Sequence, residues 1–320
     1  MEDPKELIAL VQEHDDKGAI ARLISMVERP SSRERQDLED WLAGQAEAGF
    51  VVGVTGAPGS GKSTLVDRLL GQIRATDERV AVLAVDPSSP FSGGAILGDR
   101  VRMQGHTQDA GVYIRSLATR GHLGGLTVSV PRIVRLLEAL SFPWVLVETV
   151  GVGQVEIEIT GEADATVVVV NPGWGDSIQA NKAGLMEIAD IFVINKADRP
   201  GLRDTRRDLE NMLEMSPSDR RPPIVETTAT NGEGVDALFA TLAEFKGELE
   251  ASGELSRRRA ARRLAEFDRL VMATLHQAVE RAMSGSDLRE RVRDGSLTPL
   301  KAAAELVGSI DVSLEREERE

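Results

Sequence analysis

Short apolar runs alternate with longer amphipathic segments through the middle of the chain. Apolar runs bounded by glycine, proline or acidic residues are typical of strands buried on both faces. They predict strands at 50–55, 80–85, 112–117, 144–147, 166–170, 191–194 and 224–226. Helical spacing predicts helices at 64–70, 127–140, 202–213 and 235–249. This alternation predicts an α/β fold, with a mostly parallel central sheet flanked by helices and ligands at the carboxyl ends of the strands.

Helical patterns without strands extend the chain on both sides of this region. They occupy residues 4–48 and the residues from Leu255 onward, where Thr298 and Pro299 indicate the cap and first turn of a last helix. We therefore predict three parts: a helical arm at 1–48, an α/β domain at 49–250 and a helical region at 251–320.

The long helix after Leu255 carries an apolar stripe and a group of arginines. The stripe predicts a contact with a second copy of the chain, or alternatively packing on its own domain. It consists of Leu264, Phe267, Leu270, Val271 and Leu275. The arginines could indicate an anion site, but we interpret them as a solvent-exposed face of the same helix; they are Arg257, Arg258, Arg259, Arg262 and Arg263.

Composition narrows the class of protein. A net charge of −14 argues against nucleic acid as the main partner and against binding to an anionic membrane. The absence of cysteine excludes disulfides and thiolate metal sites. The first residues lack the pattern of a secretion signal, and no apolar run is long enough to span a bilayer. We therefore expect a cytoplasmic protein.

The most specific motif lies between the first predicted strand and the helix that follows it. Residues 56–63 fit G-x-x-x-x-G-K-[ST], the phosphate-binding P-loop. Glycines allow the backbone to approach phosphate oxygens, and amides at a helix N-terminus point at the anion. Lys62 is expected to reach the β- and γ-phosphates, and the Ser63 hydroxyl to bind Mg²⁺. The predicted phosphate-binding residues are Gly56, Ala57, Pro58, Gly59, Ser60, Gly61, Lys62, Ser63 and Thr64.

A second motif indicates which base is bound. Asn195, Lys196 and Asp198 fit N-K-x-D, the guanine-reading element of P-loop GTPases. The Asp198 carboxylate would accept hydrogen bonds from guanine N1–H and the 2-amino group, whereas adenine offers neither donor. The segment that follows the last strand is expected to support the base with backbone amides; it is Thr228, Ala229 and Thr230.

Acidic residues at strand ends are candidates for a magnesium site. Glu148 ends the strand at 144–147, in the place of the acid of a D-x-x-G segment, and the Gly151 amide is expected at the γ-phosphate. Asp86 and Asp99 are further candidates. Because Mg²⁺ prefers one or two carboxylates plus waters and phosphates, we expect only some of the three acids to touch it.

The residue that positions water is missing from its usual place. Ras-like GTPases carry glutamine directly after the glycine of D-x-x-G, whereas here the residue is Val152 and the nearest glutamine is Gln154. We expect slow intrinsic hydrolysis, with Lys62, Glu148 and Gln154 as the candidate catalytic residues.

Together these motifs resemble one family, the MeaB/ArgK-type GTPases that accompany methylmalonyl-CoA mutase and related adenosylcobalamin-dependent acyl-CoA mutases. The resemblance covers nearly the whole chain and rests on residues 56–63, 86–99, 148–158, 171–182 and 195–198. It implies a homodimer, joined through C-terminal helices, that couples GTP binding and hydrolysis to cofactor loading and to protection of the mutase.

The resemblance also implies roles for particular residues. The magnesium-site pattern of the family matches Ser63, Asp86, Asp99 and Glu148. A switch that reports to the mutase matches residues 171–182, with Asp176, Gln179 and Lys182 as the coupling residues. The chain lacks D-x-H-x-x-G, the motif that supplies an axial histidine to cobalt in the mutases, so this chain is not expected to bind cobalamin itself.

Three other functions compete with this interpretation. A metallochaperone-type GTPase for another metalloenzyme needs clusters of histidine or cysteine, and this chain has four histidines and no cysteine. A transport-linked kinase needs a second substrate site, which the motifs do not indicate. A binding module with a vestigial nucleotide would not need intact Lys62, Ser63 and Glu148.

Overall fold

A computed structural model describes residues 3–28, 33–87, 104–106, 108–119, 125–149, 161–173, 188–215 and 221–310. The strands are β1 Phe50–Thr55, β2 Val80–Pro87, β3 Val112–Thr119, β4 Trp144–Thr149, β5 Ala165–Val170, β6 Ile191–Asn195 and β7 Ile224–Thr227. The helices are α1 Pro4–His14, α2 Lys17–Glu28, α3 Arg33–Ala43, α4 Lys62–Ala75, α5 Gly125–Ala139, α6 Leu202–Glu214, α7 Val235–Ala251, α8 Glu254–Ser284, α9 Leu288–Arg293 and α10 Pro299–Ser309, with a short 3₁₀ helix at Gln104–His106.

Within the described residues the strands form one seven-stranded sheet in the order β3-β2-β4-β1-β5-β6-β7. Every neighbouring pair is parallel, which confirms the predicted α/β fold. β1 lies between β4 and β5, and the chain passes from one side of β1 to the other after β4. The carboxyl end of β1 therefore lies where the connections diverge, which is where α/β sheets bind ligands.

Helices cover both faces of the sheet, which explains why the strands are continuously apolar. Alternate residues of a strand point to opposite faces, so Val51 packs with α1, α2, α3 and α5 on one side. Val52 packs with α4 and α7 on the other side. A third cluster joins β5 and β6 to α6.

The predicted N-terminal arm consists of three helices that contribute to the core of the sheet domain. Leu7, Leu23 and Leu38 are buried in the same cluster as Val51 of β1. α1 begins as the sequence indicates, with Asp3 accepting a hydrogen bond from the Lys5 amide and proline in the first turn.

The chain divides into two compact units, Met1–Arg262 and Arg263–Glu320. The domain boundaries at residues 48 and 250 stay predictions, because compactness does not test how a part folds by itself. In the second unit, the Thr298 side chain caps α10 and proline follows it, as predicted. Among the described residues, no helix is both long and apolar enough to cross a bilayer.

The sequence interpretation of the α8 arginines was wrong for three of them. Arg258, Arg259 and Arg262 have side chains only 24%, 10% and 14% exposed, although Arg257 is 71% exposed as expected. The cause is Asp164, a fully buried carboxylate just before β5, which Arg259 and Arg262 approach at 3.0 and 2.7 Å. A buried carboxylate needs cationic or hydrogen-bonding partners, and α8 supplies them.

Candidate nucleotide-binding site

The predicted P-loop connects β1 to α4, and two of its glycines cannot be replaced without strain. Gly56 has a φ of +142°, and a Cβ there would lie 2.2 Å from the Val169 carbonyl oxygen of β5. Gly61 has a φ of +94°, and its Cβ would lie 2.3 Å from the Asn195 side chain. The loop therefore packs tightly against the neighbouring strands. α4 begins at Lys62, within the motif, so its first amides are directed into the loop.

Lys62 directs its ammonium group into the loop. Nζ donates to the carbonyl oxygens of Gly56 at 2.5 Å and of Ala57 at 3.2 Å, and the residue is only 6% exposed. Phosphate oxygens are stronger acceptors than carbonyls because they are charged. The geometry thus holds a buried cation where a phosphate chain following the loop would pass.

Ser63, the residue after Lys62, forms a buried pair with Glu148, and both side chains carry oxygen atoms that could bind a metal ion. Ser63 Oγ donates to Glu148 Oε1 at 2.6 Å. The sheet register sets this meeting, because Glu148 of β4 lies opposite Val54 of β1, just before the loop. A hydroxyl and a carboxylate are ligands that Mg²⁺ accepts, so the donor set fits this ion.

The other candidates for the metal and for catalysis are less fully described. The backbone of Asp86 lies near the end of β2, whose Ala84 is opposite Glu148. The Asp86 side chain and the whole of Asp99, Gly151 and Gln154 lie outside the described residues.

Asn195 joins the two motifs that the sequence singled out. Its Nδ2 donates to the Ser60 carbonyl oxygen at 2.8 Å. Its Oδ1 accepts from the Thr227 hydroxyl and from the Ala229 amide, both at 3.1 Å. Asn195 is 2% exposed, and its bonds connect the P-loop, β7 and the 228–230 segment.

The remaining guanine-motif residues form a turn at the same edge. Lys196 has a φ of +59°, and its Nζ donates to the Gly59 carbonyl oxygen. The Ala197 amide donates to the Thr227 carbonyl oxygen at 3.0 Å, and Asp198 follows with an exposed side chain. The structure therefore brings the P-loop, 195–198 and 228–230 together at the carboxyl ends of β1, β6 and β7.

The predicted switch at 171–182 is described only at its beginning. The Gly173 amide lies 3.4 Å from its acceptor, the Thr205 hydroxyl of α6. Asp176, Gln179 and Lys182 lie outside the described residues.

Sequence reasoning missed Arg68, which reaches the 228–230 segment from α4. Its Nε donates to the Ala229 carbonyl oxygen at 3.2 Å, and Nη2 donates to the Thr230 carbonyl oxygen at 3.0 Å. The only local signal is helical spacing, which places Arg68 on the same side of α4 as Thr64.

Comparison with known proteins identifies the family. The sequence profile described as methylmalonyl-CoA mutase-associated GTPase MeaB matches residues 20–284, which is more than half of the chain. The chain belongs to the MeaB family. It is accordingly a GTPase and binds GTP and GDP.

Relatives of this MeaB-family chain span archaea and mammals. A candidate GTPase of Pyrococcus horikoshii is 44% identical over 296 residues, covering 90% of this chain and 92% of the relative. The mitochondrial methylmalonic aciduria type A homolog of Mus musculus is 33% identical, covering 90% of this chain and 75% of the relative. The crystal structure of an LAO/AO transport system kinase matches with a TM-score of 0.70 and 25% identity, covering 95% of this chain and 96% of that one. This match confirms the fold.

Proposed function

We propose that this GTPase is the chaperone of an adenosylcobalamin-dependent acyl-CoA mutase of the methylmalonyl-CoA mutase type. GTP hydrolysis would be coupled to loading of the cofactor and to protection of the mutase. The observation that carries the proposal is the MeaB profile match over residues 20–284, since the family description names the mutase. A cytoplasmic location is part of the proposal, and cobalamin is held by the mutase and not by this chain.

Each part of the site has a distinct role in this proposal. The amides of 56–64 and the Lys62 ammonium hold the phosphates, and the Lys62 cation stabilises negative charge on the γ-phosphate oxygens as the bond to GDP breaks. Ser63 donates its proton to Glu148, so the hydroxyl oxygen can direct a lone pair to a cation. Ser63 and Glu148 would hold Mg²⁺, with Asp86 and Asp99 binding the ion or its waters, and a bound ion would supply positive charge beside the phosphates.

Hydrolysis requires a water molecule to attack the γ-phosphorus in line with the departing GDP oxygen. In the proposal the Gly151 amide contacts the γ-phosphate and Gln154 orients this water. Because Val152 takes the usual place of the glutamine, the free protein hydrolyses GTP slowly and the mutase completes the site.

The base is read at the other end of the site. Asp198 accepts from the two guanine donors, and the backbone of 228–230 faces the base. Asn195 can contribute to nucleotide binding without a strong contact to the base. Its bonds to Ser60 and Ala229 hold the phosphate loop and the base-binding segment at a set separation.

The similar solved structure is named a transport system kinase, which favours one second candidate, transfer of the γ-phosphate to a protein or amino acid. A metallochaperone role has less support, because the chain has four histidines and no cysteine to hold a metal ion.

The decisive experiment measures GTP turnover with and without purified acyl-CoA mutase, using GTP labelled at the γ-phosphate. We expect the mutase to raise turnover, with all the label released as inorganic phosphate. Completion of a GTPase site by a partner can increase the rate by about 10³- to 10⁵-fold. Gln179→Ala or Lys182→Ala should reduce this mutase-dependent rise in turnover far more than it reduces the affinity for GTP.

The controls separate the alternatives. Arg207→Ala removes an exposed cation of α6 that pairs with Asp204 in its own helix, and it should respond to the mutase like the parent. Label transferred to an acceptor instead of water would favour the kinase. An unchanged rate with every cobalamin-dependent acyl-CoA mutase of the source cell would contradict the chaperone proposal.

A further inference from the structure

Arg68 links the helix that starts at the phosphate loop to the segment that follows β7. The two ends of this link are 161 and 162 residues apart in the chain. One planar guanidinium donates to two successive carbonyl oxygens, those of Ala229 and Thr230, at 3.2 and 3.0 Å. Arginine suits this geometry because its donors form a rigid fork.

The same segment is held from its other side by Asn195. The Ala229 amide donates to Asn195 Oδ1 at 3.1 Å, while the Ala229 carbonyl accepts from Arg68. Both polar groups of Ala229 are therefore engaged, one from β6 and one from α4. Each of these bonds orients one of the two planar peptide units that flank Ala229, so together they determine how its backbone is oriented.

The rest of this turn is closed by its own backbone. The Thr228 amide donates to the Glu233 carbonyl oxygen at 2.9 Å. The Thr228 carbonyl oxygen accepts from the amides of Asn231 and Gly232, at 3.1 and 3.0 Å. These bonds shape the turn but do not tie it to α4, whereas the Arg68 side chain does.

We propose that Arg68 is a positioning residue that holds the backbone of Ala229 and Thr230 in place at the base-binding end of the site, and so sets nucleotide affinity without touching the nucleotide. The inference rests on the proposed assignment of 195–198 and 228–230 to the base. Ordering a segment before binding lowers the entropy that binding must overcome. Loss of Arg68 is therefore expected to weaken binding of the base and to leave the phosphate chemistry unchanged.

The test compares Arg68→Ala, Arg68→Lys and the parent by release of a fluorescent GDP analogue and by steady-state GTP hydrolysis. Hydrogen bonds from a charged donor predict about a tenfold faster release and a similar rise in KM for Arg68→Ala, with kcat within about twofold of the parent. Arg68→Lys keeps the charge without the fork and should fall between the two. Arg207→Ala is the matched control and should behave like the parent.

Inorganic pyrophosphate distinguishes positioning of the base from general damage to α4. It engages the phosphate loop alone, so its competition with the analogue should be the same for Arg68→Ala and the parent after correction for analogue affinity. Equal losses for pyrophosphate and GDP would overturn the inference. If Arg68→Ala does not fold, Arg68→Lys carries the same comparison.

Asp198→Asn separates this inference from the function on which it rests. If Asp198→Asn loses guanine binding while both Arg68 variants match the parent, the positioning role is wrong and the base assignment stands. If Asp198→Asn instead retains parental guanine affinity, the base assignment fails, and the proposed role of Arg68 fails with it.

Discussion

At the scale of single residues, the site depends on side chains that each satisfy several backbone groups. Asn195 bonds to the P-loop carbonyl of Ser60, to the hydroxyl of Thr227 and to the amide of Ala229. A buried amide with all of these partners is costly to replace, because each partner would lose a hydrogen bond in a place without water. The two sequence motifs are therefore one physical unit.

A single side chain, Asp198, is expected to select guanine over adenine. Asp198→Asn should weaken GTP and GDP binding by about 100-fold or more, because the amide presents a donor where guanine also presents donors. Asp198 is exposed, so the fold should be unaffected. Isothermal titration with GTP and ATP measures the change, and the exposed acid Asp208→Asn on α6 is the control. ATP affinity comparable to that of GTP in the parent would contradict the guanine reading.

At the scale of elements, the beginning of α8 is bound to the amino-terminal edge of the sheet by charged groups. Arg259 donates to Asp164 and to the carbonyl oxygens of Glu47 and Gly49. Arg258 binds Asp190 at 3.0 Å, just before β6. These groups lie at the end of the strands opposite the nucleotide site. Their role is therefore to hold α8 in place and not to bind phosphate.

Glu138 of α5 gives this cluster a pH dependence. Glu138 is 4% exposed, and burial raises the pKa of its carboxyl group to about 7, although Arg259 approaches that group at 3.7 Å. Arg259 lowers this pKa less than burial raises it, and Arg259 also approaches Asp164 at 3.0 Å. Asp164 and Glu47 also raise the pKa of Glu138, and Arg262 lowers it.

The sign of the effect follows from linkage. Between about pH 4.5 and 7 the folded state holds a proton on Glu138 that the unfolded state releases, so the free energy of unfolding falls as pH rises. Glu138→Gln cannot ionise, so relative to the parent it should gain on the order of 3 kcal/mol between pH 4.5 and pH 8. Urea unfolding at both pH values measures this gain. The exposed residue Glu250 supplies the control Glu250→Gln, and an equal gain in the control would contradict the prediction.

At the scale of the whole molecule, the second compact unit exposes apolar side chains. Leu264, Phe267, Val271 and Leu275 of α8 are 66%, 61%, 40% and 37% exposed, and they recur at helical spacing. Exposed apolar residues at this spacing favour pairing with another helix, and the resemblance to MeaB/ArgK-type GTPases implies a homodimer. The sequence allowed either contact with a second copy or packing of the stripe on its own domain, and the exposure of the stripe supports the dimer.

We therefore expect the full chain to be a dimer at micromolar concentration, measured by light scattering. Phe267→Asp should shift it toward the monomer, because burying the carboxylate in an apolar contact is unfavourable. Met215→Asp is the control, since Met215 is an exposed apolar residue, 78% exposed, outside the stripe. A monomeric parent would contradict the dimer.

Patterns in the sequence are enough to predict the strands, most helices and the nucleotide motifs. These features are local: a strand buried on both faces is a continuous apolar run, and the P-loop is a single stretch whose glycines are needed where the backbone meets β5. The pairing of distant groups, by contrast, depends on the tertiary structure. Asp164 lies 95 residues from Arg259, and Ala229 lies 161 from Arg68, so no periodicity along the chain could show that these arginines bind buried or backbone oxygens instead of facing water. The sequence pattern around an arginine is the same whether its side chain binds protein oxygens or faces water. Only the register of the strands and the position of α4 and α8 place an acceptor within its reach.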